Sequence, residues 1–134
     1  MLKVAAIIHQ SKDKVWDSFT NADHITKWNF AHPSWCCPKS SVDLRVGGEM
    51  NNRMEAVDGS MGFDLKAKFD VVNPCVQLDY TLEDGRKVTC SFEEENGSVT
   101  LTQCFDPEKE NPEEMQTQGW QAILNNFKNY TEQL

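Results

Sequence analysis

The sequence predicts an α+β protein in which an antiparallel sheet of about seven strands curls around a long C-terminal helix, with two short helices after the first strand. Three observations predict this fold class. Apolar and polar residues alternate in five successive segments between Met50 and Phe105, turn residues separate these segments, and apolar residues recur at helical spacing from Met115 to Leu134. The sheet must bury its apolar face, and the C-terminal helix is the element that can cover it.

The first thirty residues predict one strand and two short helices. Residues 2–9 can form a strand. Ser11 or Gln10 can cap the first helix, because a polar side chain there accepts a hydrogen bond from a free backbone N–H. Its apolar face consists of Val15, Trp16 and Phe19. Asn21 can cap a second helix of one or two turns, whose apolar side consists of Ile25 and Trp28.

The segment HITKWNFAHPSWCCP, residues 24–38, combines aromatic rings, histidines and adjacent cysteines without a steady period. It predicts a loop at one end of the sheet, with Trp28 in the core and with Phe30 and Trp35 at the rim of a pocket. A short strand around residues 42–44 and a turn at Gly47-Gly48 follow.

The same segment raises two chemical alternatives. His32, Cys36 and Cys37 are all soft-metal donors, but three clustered donors without a matching second pair are a weak zinc signal, so no metal is predicted. A nucleophilic cysteine needs an adjacent base. His32 could supply one, yet no third residue is evident to orient it, and no catalytic residue is assigned.

Four turn sequences set the register of the sheet. Asp58-Gly59 and Asn96-Gly97 suit two-residue type I′ turns. Asn73-Pro74 reverses the chain after the second of the five segments, and Glu83-Asp84-Gly85 suits a three-residue loop with a left-handed glycine after the third. The predicted pairs are Ala56–Met61, Met54–Phe63, Asn52–Leu65, Met50–Ala67, Phe69–Leu78, Ala67–Tyr80, Tyr80–Val88, Leu78–Cys90, Val76–Phe92, Phe92–Leu101, Cys90–Gln103 and Val88–Phe105. All four turns place the same set of side chains on one dry face, and a slip of one residue would break this agreement.

The five cysteines are expected to be free thiols. Their number is odd, and the register points Cys90 inward and Cys104 outward, so these two cannot form a bridge. Free thiols, together with an N-terminus that lacks the length and cleavage site of a secretory signal, predict a cytoplasmic protein.

The C-terminal helix is expected to cover the dry face incompletely. Pro112 suits the first helical position, and the apolar stripe consists of Met115, Trp120, Ile123, Leu124, Phe127, Tyr130 and Leu134. Gly119 lies in that stripe, either to leave a gap or to let helix and sheet pack closely. A single helix about 10 Å across cannot fill the concave side of a curled seven-stranded sheet. A cavity is therefore predicted.

Three polar side chains point to this dry face. Asn52, Gln103 and Tyr80 could satisfy one another, the backbone or trapped water, or they could orient a mostly apolar ligand. The residues predicted to contact a ligand are Trp28, Phe30, Trp35, Asn52, Met54, Phe63, Tyr80, Gln103, Trp120 and Ile123. Apart from Tyr80 and Cys90, no ionisable side chain is predicted on the inner face of the strands between residues 50 and 105.

The net charge limits the choice of partners. The 134 residues carry a formal charge of -8 with a pI of about 4.8. Such a chain repels phosphate backbones and anionic lipid heads, so neither nucleic acid nor a membrane is predicted as a partner. The length is that of one domain, residues 1–134, and no cofactor is predicted.

Four segments in order resemble a known superfamily. They are VWDSFTNADHITKW (residues 15–28), DLRVGG (residues 43–48), the strand–turn–strand unit around Asp58-Gly59, and GWQAILNNFKNY (residues 119–130). They are similar to the START-like (Bet v-like, SRPBCC) helix-grip superfamily, and within it to single-domain bacterial proteins related to the activator of the ninety-kilodalton heat-shock protein's ATPase. The resemblance implies a seven-stranded antiparallel sheet gripping the C-terminal helix, and a cavity for a lipid, polyketide or flavonoid-like compound.

Three functions stay open on the sequence. The first is a carrier or sensor of a hydrophobic small molecule. The second is a cyclase- or aromatase-like enzyme of the kind found in this superfamily. The third is a regulator of a heat-shock chaperone ATPase, which would use the charged outer face and need no cavity. A homodimer is also possible.

Overall fold

Seven antiparallel strands form one sheet in the computed structural model, which describes residues 1–134. The elements in chain order are β1 (Leu2–Ile8), α1 (Lys12–Thr20), α2 (Ala22–Ile25), β2 (Trp35–Val42), β3 (Glu49–Ala56), β4 (Gly62–Asn73), β5 (Gln77–Leu82), β6 (Lys87–Glu95), β7 (Ser98–Phe105) and α3 (Glu113–Glu132). The strand order is β1-β7-β6-β5-β4-β3-β2, so β2 to β7 form a meander and β1 lies beside β7. This is the predicted α+β helix-grip fold.

The two short helices begin at the predicted caps. The Ser11 side chain accepts a hydrogen bond from the backbone N–H of Lys14, and the Asn21 side chain accepts one from Asp23. Each bond satisfies a donor that has no partner within its helix.

Most of the predicted register is confirmed. Strands β3 and β4 pair Met54 with Phe63, and β6 and β7 pair Cys90 with Gln103. The predicted pairs Tyr80–Val88 and Leu78–Cys90 of β5 and β6 are also present, and so is the type I′ turn with positive φ at both Asn96 and Gly97. Val76 lies just before β5, and its carbonyl accepts a hydrogen bond from the Phe92 N–H as predicted for that pair. All five cysteines are free thiols, and Cys90 is buried while Cys104 is only partly covered.

The turn at Asp58-Gly59 differs from the prediction. Only Gly59 has a positive φ there, whereas a type I′ turn needs two such residues. The Asp58 carboxylate instead accepts hydrogen bonds from the backbone N–H and the hydroxyl of Ser60. These bonds stabilise a turn in which Asp58 does not adopt the left-handed conformation. The backbone bond from Ala56 to Met61 keeps the predicted register.

The register between β4 and β5 was predicted wrongly. Phe69 lies opposite Tyr80 rather than Leu78, and Ala67 opposite Leu82 rather than Tyr80. The left-handed residue of this turn is Cys75, with φ 63°, so the connection is longer than Asn73-Pro74 alone. A bulge between Phe69 and Val71 changes the pairing of β4 with β5 by one residue. Beyond this bulge, away from the turn, the register differs from the predicted one by two residues. Because side chains alternate with a period of two, the buried face is retained.

Strand β2 begins earlier than predicted. Trp35, Cys36 and Cys37 belong to the strand rather than to a loop, and Leu44 lies beyond its end and is exposed. Apolar alternation does not mark β2, because a bulge between Cys36 and Lys39 interrupts its pairing with β3.

Helix α3 packs chiefly against β1, with smaller contacts to α1. Leu124 and Phe127 are buried, whereas Trp120 and Ile123 are only partly covered. Met115 was predicted to belong to the buried stripe but is 57 % exposed, so that prediction is wrong. The buried residue of the first turns is Gln116, which binds the backbone of the preceding loop.

The free edge of β1 is covered by side chains of α3. Gln121 donates a hydrogen bond to the Ala5 carbonyl, and the Lys128 ammonium group donates one to the Ile7 carbonyl. With these carbonyls bonded, the edge of β1 is less able to pair with another strand.

None of the three helices combines the length and the hydrophobicity that a membrane-spanning helix needs.

Candidate ligand cavity

A cavity of about 260 Å³ lies between the sheet and α3. Fifteen of the twenty residues that line it are hydrophobic. The sheet contributes Val42, Met50, Asn52, Met54, Phe63, Leu65, Phe69, Leu78, Tyr80, Leu82 and Gln103, the helices and their turns contribute Phe19, Thr20, Ile25, Trp28, Asn29, Trp120, Ile123 and Leu124, and Arg86 lies at the β5–β6 turn. Ligand pockets are commonly about 300–1,000 Å³, so this cavity lies just below the lower end of that range.

The position of α3 explains why space is left. The helix lies over β1, at one edge of the sheet, whereas the cavity wall comes mainly from β3, β4 and β5 on the other half. A Cβ atom added at Gly119 would meet nothing within 4 Å. Gly119 therefore does not serve close packing of helix and sheet.

An aromatic cluster forms the helical side of the cavity. Phe19 and Trp28 are stacked with ring centroids 5.4 Å apart, and Phe127 meets the Trp28 ring edge-on at 4.9 Å. The Trp28 indole N–H donates to the Ser18 carbonyl at 2.9 Å. This ring is thus fixed in the core while part of it lines the cavity, because its polar atom is satisfied on the side of α1.

The inward amides are partly satisfied by the protein. The Ser40 hydroxyl donates to Asn52 Oδ1 at 2.6 Å, and Gln103 Nε2 donates to Cys90 Sγ at 3.6 Å. The Asn52 amino group and the Gln103 carbonyl oxygen form no hydrogen bond within the protein. Asn29, which the sequence prediction missed, adds a third amide to the wall.

Burial keeps the Tyr80 and Cys90 side chains neutral. It raises the pKa of the Tyr80 hydroxyl well above 10, with a smaller contribution from Cys90. Burial also raises the pKa of the Cys90 thiol to about 12. Tyr80 lines the cavity, and its hydroxyl forms no hydrogen bond within the protein, so this group is free to donate to a ligand.

Arg86 is a cavity residue that the sequence prediction excluded. The Leu82 N–H donates to the Arg86 carbonyl at 2.8 Å, which places these residues opposite each other beyond the Tyr80–Val88 pair. Opposed residues share a face of the sheet, so Arg86 lies on the inner face with Val88. The signal was present, since extending the alternation from Val88 by two residues reaches Arg86.

The two aromatic residues predicted at the rim, Phe30 and Trp35, do not line the cavity. Phe63 lines it and is 51 % exposed, which places this ring at the mouth. Trp35 contacts Phe63 with ring centroids 6.2 Å apart but does not line the cavity. Phe30 also lies outside the lining, and its carbonyl accepts a hydrogen bond from Asn126 of α3. The other eight residues predicted to contact a ligand all line the cavity.

The histidines lie away from this space. His32 is exposed and its Nδ1 contacts the Ser34 hydroxyl at 2.8 Å. His24 Nε2 lies 3.3 Å from Asp17 Oδ2, and His24 Nδ1 lies 2.6 Å from the Tyr130 hydroxyl oxygen. These contacts join α2 to α1 and α3. No group of three or more histidine, cysteine or acidic side chains is arranged to hold a metal ion.

A second depression lies on the outer face of β3, β4 and β5. Its volume is larger, about 670 Å³, but only three of its ten lining residues are hydrophobic, and it is open to solvent. Its wall carries charges of both signs, including Lys66, Lys68, Asp70 and Glu83. The apolar cavity beside α3 is therefore the better candidate for a small-molecule site.

Residues 9–132 match the family model described as Activator of Hsp90 ATPase homolog 1-like protein. The solution structure of an AHSA1-like protein from Aeromonas hydrophila is 37 % identical, with a TM-score of 0.90 over 98 % of this chain and 93 % of that one. A protein from Cytophaga hutchinsonii is 41 % identical, with a TM-score of 0.85 over 98 % and 91 %.

A more distant structure shares the fold. The Aha1 dimer from Colwellia psychrerythraea is 15 % identical, with a TM-score of 0.74 over 98 % of this chain and 97 % of that one. Among curated proteins, none matches this chain significantly. The family match covers nearly the whole sequence, and the chain belongs to the activator of Hsp90 ATPase homolog 1-like family.

Proposed function

We propose that this protein binds a hydrophobic small molecule in the cavity between the sheet and α3, as a carrier or sensor. The lipid, polyketide and flavonoid-like classes fit such a site. The observation that supports this function is an apolar cavity of about 260 Å³ between the sheet and α3. A core selected only for stability would be filled, since each cavity lowers stability.

The cavity chemistry supports binding over catalysis. Its wall contains no carboxylate and no histidine, the side chains that most often transfer protons in enzymes. Tyr80 stays protonated at neutral pH, since its pKa lies well above 10. These groups can orient a ligand by hydrogen bonds, and the cyclase- or aromatase-like alternative has no acid–base pair among them.

The predicted contacts fall into two groups in this proposal. Eight of them would touch the ligand directly: Trp28, Asn52, Met54, Phe63, Tyr80, Gln103, Trp120 and Ile123. Trp35 would act through Phe63, whose half-exposed ring forms the mouth, and Phe30 is assigned no contact.

A neutral fluorescent probe tests the proposal. N-phenyl-1-naphthylamine brightens in apolar surroundings, and we expect saturable binding that fatty acids or flavonoids displace. A bound ligand at 100 times its dissociation constant should also raise the free energy of unfolding by about 2.7 kcal/mol. A wild-type protein that binds neither the probe nor these compounds would overturn the proposal.

Two variants locate the binding. Leu65→Trp and Ile123→Phe each enlarge a side chain of the cavity wall and should weaken binding at least tenfold. Val46→Trp places the same indole on a side chain that is 64 % exposed and should bind as wild type does. Equal binding by all four folded proteins would place the probe elsewhere and contradict the assignment.

The family match favours one second candidate, a regulator of an Hsp90-type chaperone. This function would use a protein surface, such as the charged outer face of the sheet, and would leave the cavity unused. Its test is the ATPase rate of a purified Hsp90-type chaperone with and without this protein at micromolar concentration. An unchanged rate and no association in sedimentation would exclude it, and the same sedimentation run would reveal a homodimer such as the Colwellia protein forms.

A further inference from the structure

Arg86 is the one side chain with a formal charge in the wall of the cavity. We propose that the ligand is an apolar monocarboxylic acid whose carboxylate binds Arg86, while its hydrocarbon or aromatic body fills the rest of the cavity. This inference rests on the proposed binding function and narrows it to one class of ligand.

The guanidinium group of Arg86 has donors to spare. Its Nε donates to the Asp84 carboxylate at 2.8 Å, and this is its only ion pair. The two Nη atoms form no hydrogen bond to the protein. An arginine has five N–H donors in a planar fork that matches a carboxylate, so these two atoms can hold an anionic group while Asp84 holds the third nitrogen.

The turn alone does not require this arrangement, as a second Asp-x-Arg pair shows. Arg45 Nε donates to Asp43 at the same distance, 2.8 Å, with the same spacing in the sequence. Yet the Arg45 side chain is 72 % exposed, whereas that of Arg86 is 26 % exposed and lines the cavity. An arginine can therefore pair with the aspartate of a turn while its side chain stays in solvent. The ion pair with Asp84 alone does not explain why Arg86 lines the cavity.

Electrostatics favours a single carboxylate over a larger anion. The protein carries a net charge of -8, and Asp84 already offsets part of the Arg86 charge, so the local field suits one negative charge. The Tyr80 hydroxyl, the Asn52 amino group and the Gln103 carbonyl oxygen are uncharged polar groups available along the same wall. The remaining wall is apolar and suits the body of a fatty or an aromatic acid.

The experiment compares acids with their amides, which have the same size and no charge. Displacement of N-phenyl-1-naphthylamine is measured with 1-naphthaleneacetate against 1-naphthaleneacetamide, and with decanoate against decanamide. The wild-type protein should prefer the acid of at least one pair by tenfold or more, which is about 1.4 kcal/mol. The pair that shows the preference tells an aromatic acid from a fatty acid.

Variants of Arg86 assign the preference. Arg86→Met keeps the length and apolar volume of the side chain and should abolish the preference for the acid, because it lowers the affinity for the acid far more than the affinity for the amide. Arg86→Lys should keep part of the preference, and Arg86→Gln replaces Arg86→Met if that protein does not fold. Arg45→Met, the matched control at the exposed pair, should behave as wild type does.

Two outcomes separate this inference from the function beneath it. Equal affinity for acid and amide in the wild type, or a preference that persists in Arg86→Met, overturns the carboxylate assignment and leaves the cavity as a neutral binding site. Failure of the neutral probe, of both acids and of both amides to bind overturns the proposed function itself.

Discussion

The indole of Trp120 lies parallel to the ring of Phe105, with ring centroids 4.0 Å apart and an interplanar angle of 8°. Phe105 is fully buried at the end of β7, and Trp120 lines the cavity from α3. The stack thus holds the first half of α3 on the sheet beside a space that α3 does not fill.

Removal of this stack should destabilise the protein. Trp120→Ala deletes a large aromatic surface and enlarges an existing cavity, so we expect the free energy of unfolding to fall by about 3 kcal/mol. Met115→Ala, on the exposed side of the same helix, should change it by less than about 0.5 kcal/mol. Urea unfolding measures both, and similar losses in the two variants would contradict the role given to the stack.

Two glycines should respond to alanine in opposite directions. A Cβ atom at Gly119 meets open space within α3, so Gly119→Ala should stabilise the protein by about 0.5–1 kcal/mol through helix propensity. A Cβ atom at Gly48 would lie 2.0 Å from the Asp43 carbonyl oxygen, so Gly48→Ala should destabilise it by about 1–3 kcal/mol or more. Thermal unfolding of both variants checks the signs, and a destabilised Gly119→Ala would show that this space is not free.

The residues of the inner face of the sheet could be predicted well because a register error of two residues does not change which side chains are buried. The β4–β5 hairpin shows this, since Phe69 changed its partner from Leu78 to Tyr80 and all three stayed buried. Pairing depends on where the loop ends, and the left-handed Cys75 carries no recognisable turn signal. Burial depends only on alternation, which short hydrophobic segments display clearly.

Residues at the borders of strands were harder to place. Arg86 precedes the first residue of β6, so it lies outside the alternating segment proper, even though extending the alternation from Val88 reaches it. Trp35 was assigned to the rim because β2, with its bulge, shows no period of two. The position of α3 along one edge of the sheet is set by tertiary packing, and no local pattern in the helix reports it.

Gln116 should be important for the loop that precedes α3. Its amide accepts a hydrogen bond from Glu108 N–H and donates to the carbonyls of Glu108 and Asn111, at 2.8, 3.0 and 2.8 Å. Gln116→Ala leaves these backbone groups without their partner, and we expect a loss of about 2 kcal/mol in the free energy of unfolding. Gln118→Ala removes the same side chain from an exposed position of the same helix and should be nearly neutral.

Hydrogen exchange can show whether the effect is local. In Gln116→Ala the amides of residues 108–111 should exchange faster, while those of the sheet keep their relative protection. If Gln116→Ala and Gln118→Ala unfold at the same urea concentration, the three hydrogen bonds do not stabilise the loop.

Stability should fall at alkaline pH partly because of Cys90. Burial raises the pKa of this thiol from 9.0 to about 12, so between these values the unfolded chain has lost a proton that the folded protein still binds. The contribution is therefore fully present below pH 9 and is lost as the pH rises towards 12. Between pH 8 and pH 10 the loss should be about 1 kcal/mol, since one pKa unit corresponds to about 1.4 kcal/mol.

The variant Cys90→Ala isolates this contribution from those of other groups. It will be less stable at pH 8 because it leaves a void, but its stability should decline by about 1 kcal/mol less than that of the wild type between pH 8 and pH 10. The measurement is urea unfolding at several pH values, with the two slopes compared rather than the absolute stabilities. Parallel declines would mean that the Cys90 thiol titrates at the same pH in the folded and unfolded protein, and that its surroundings are wetter than the sealed inner face of β6.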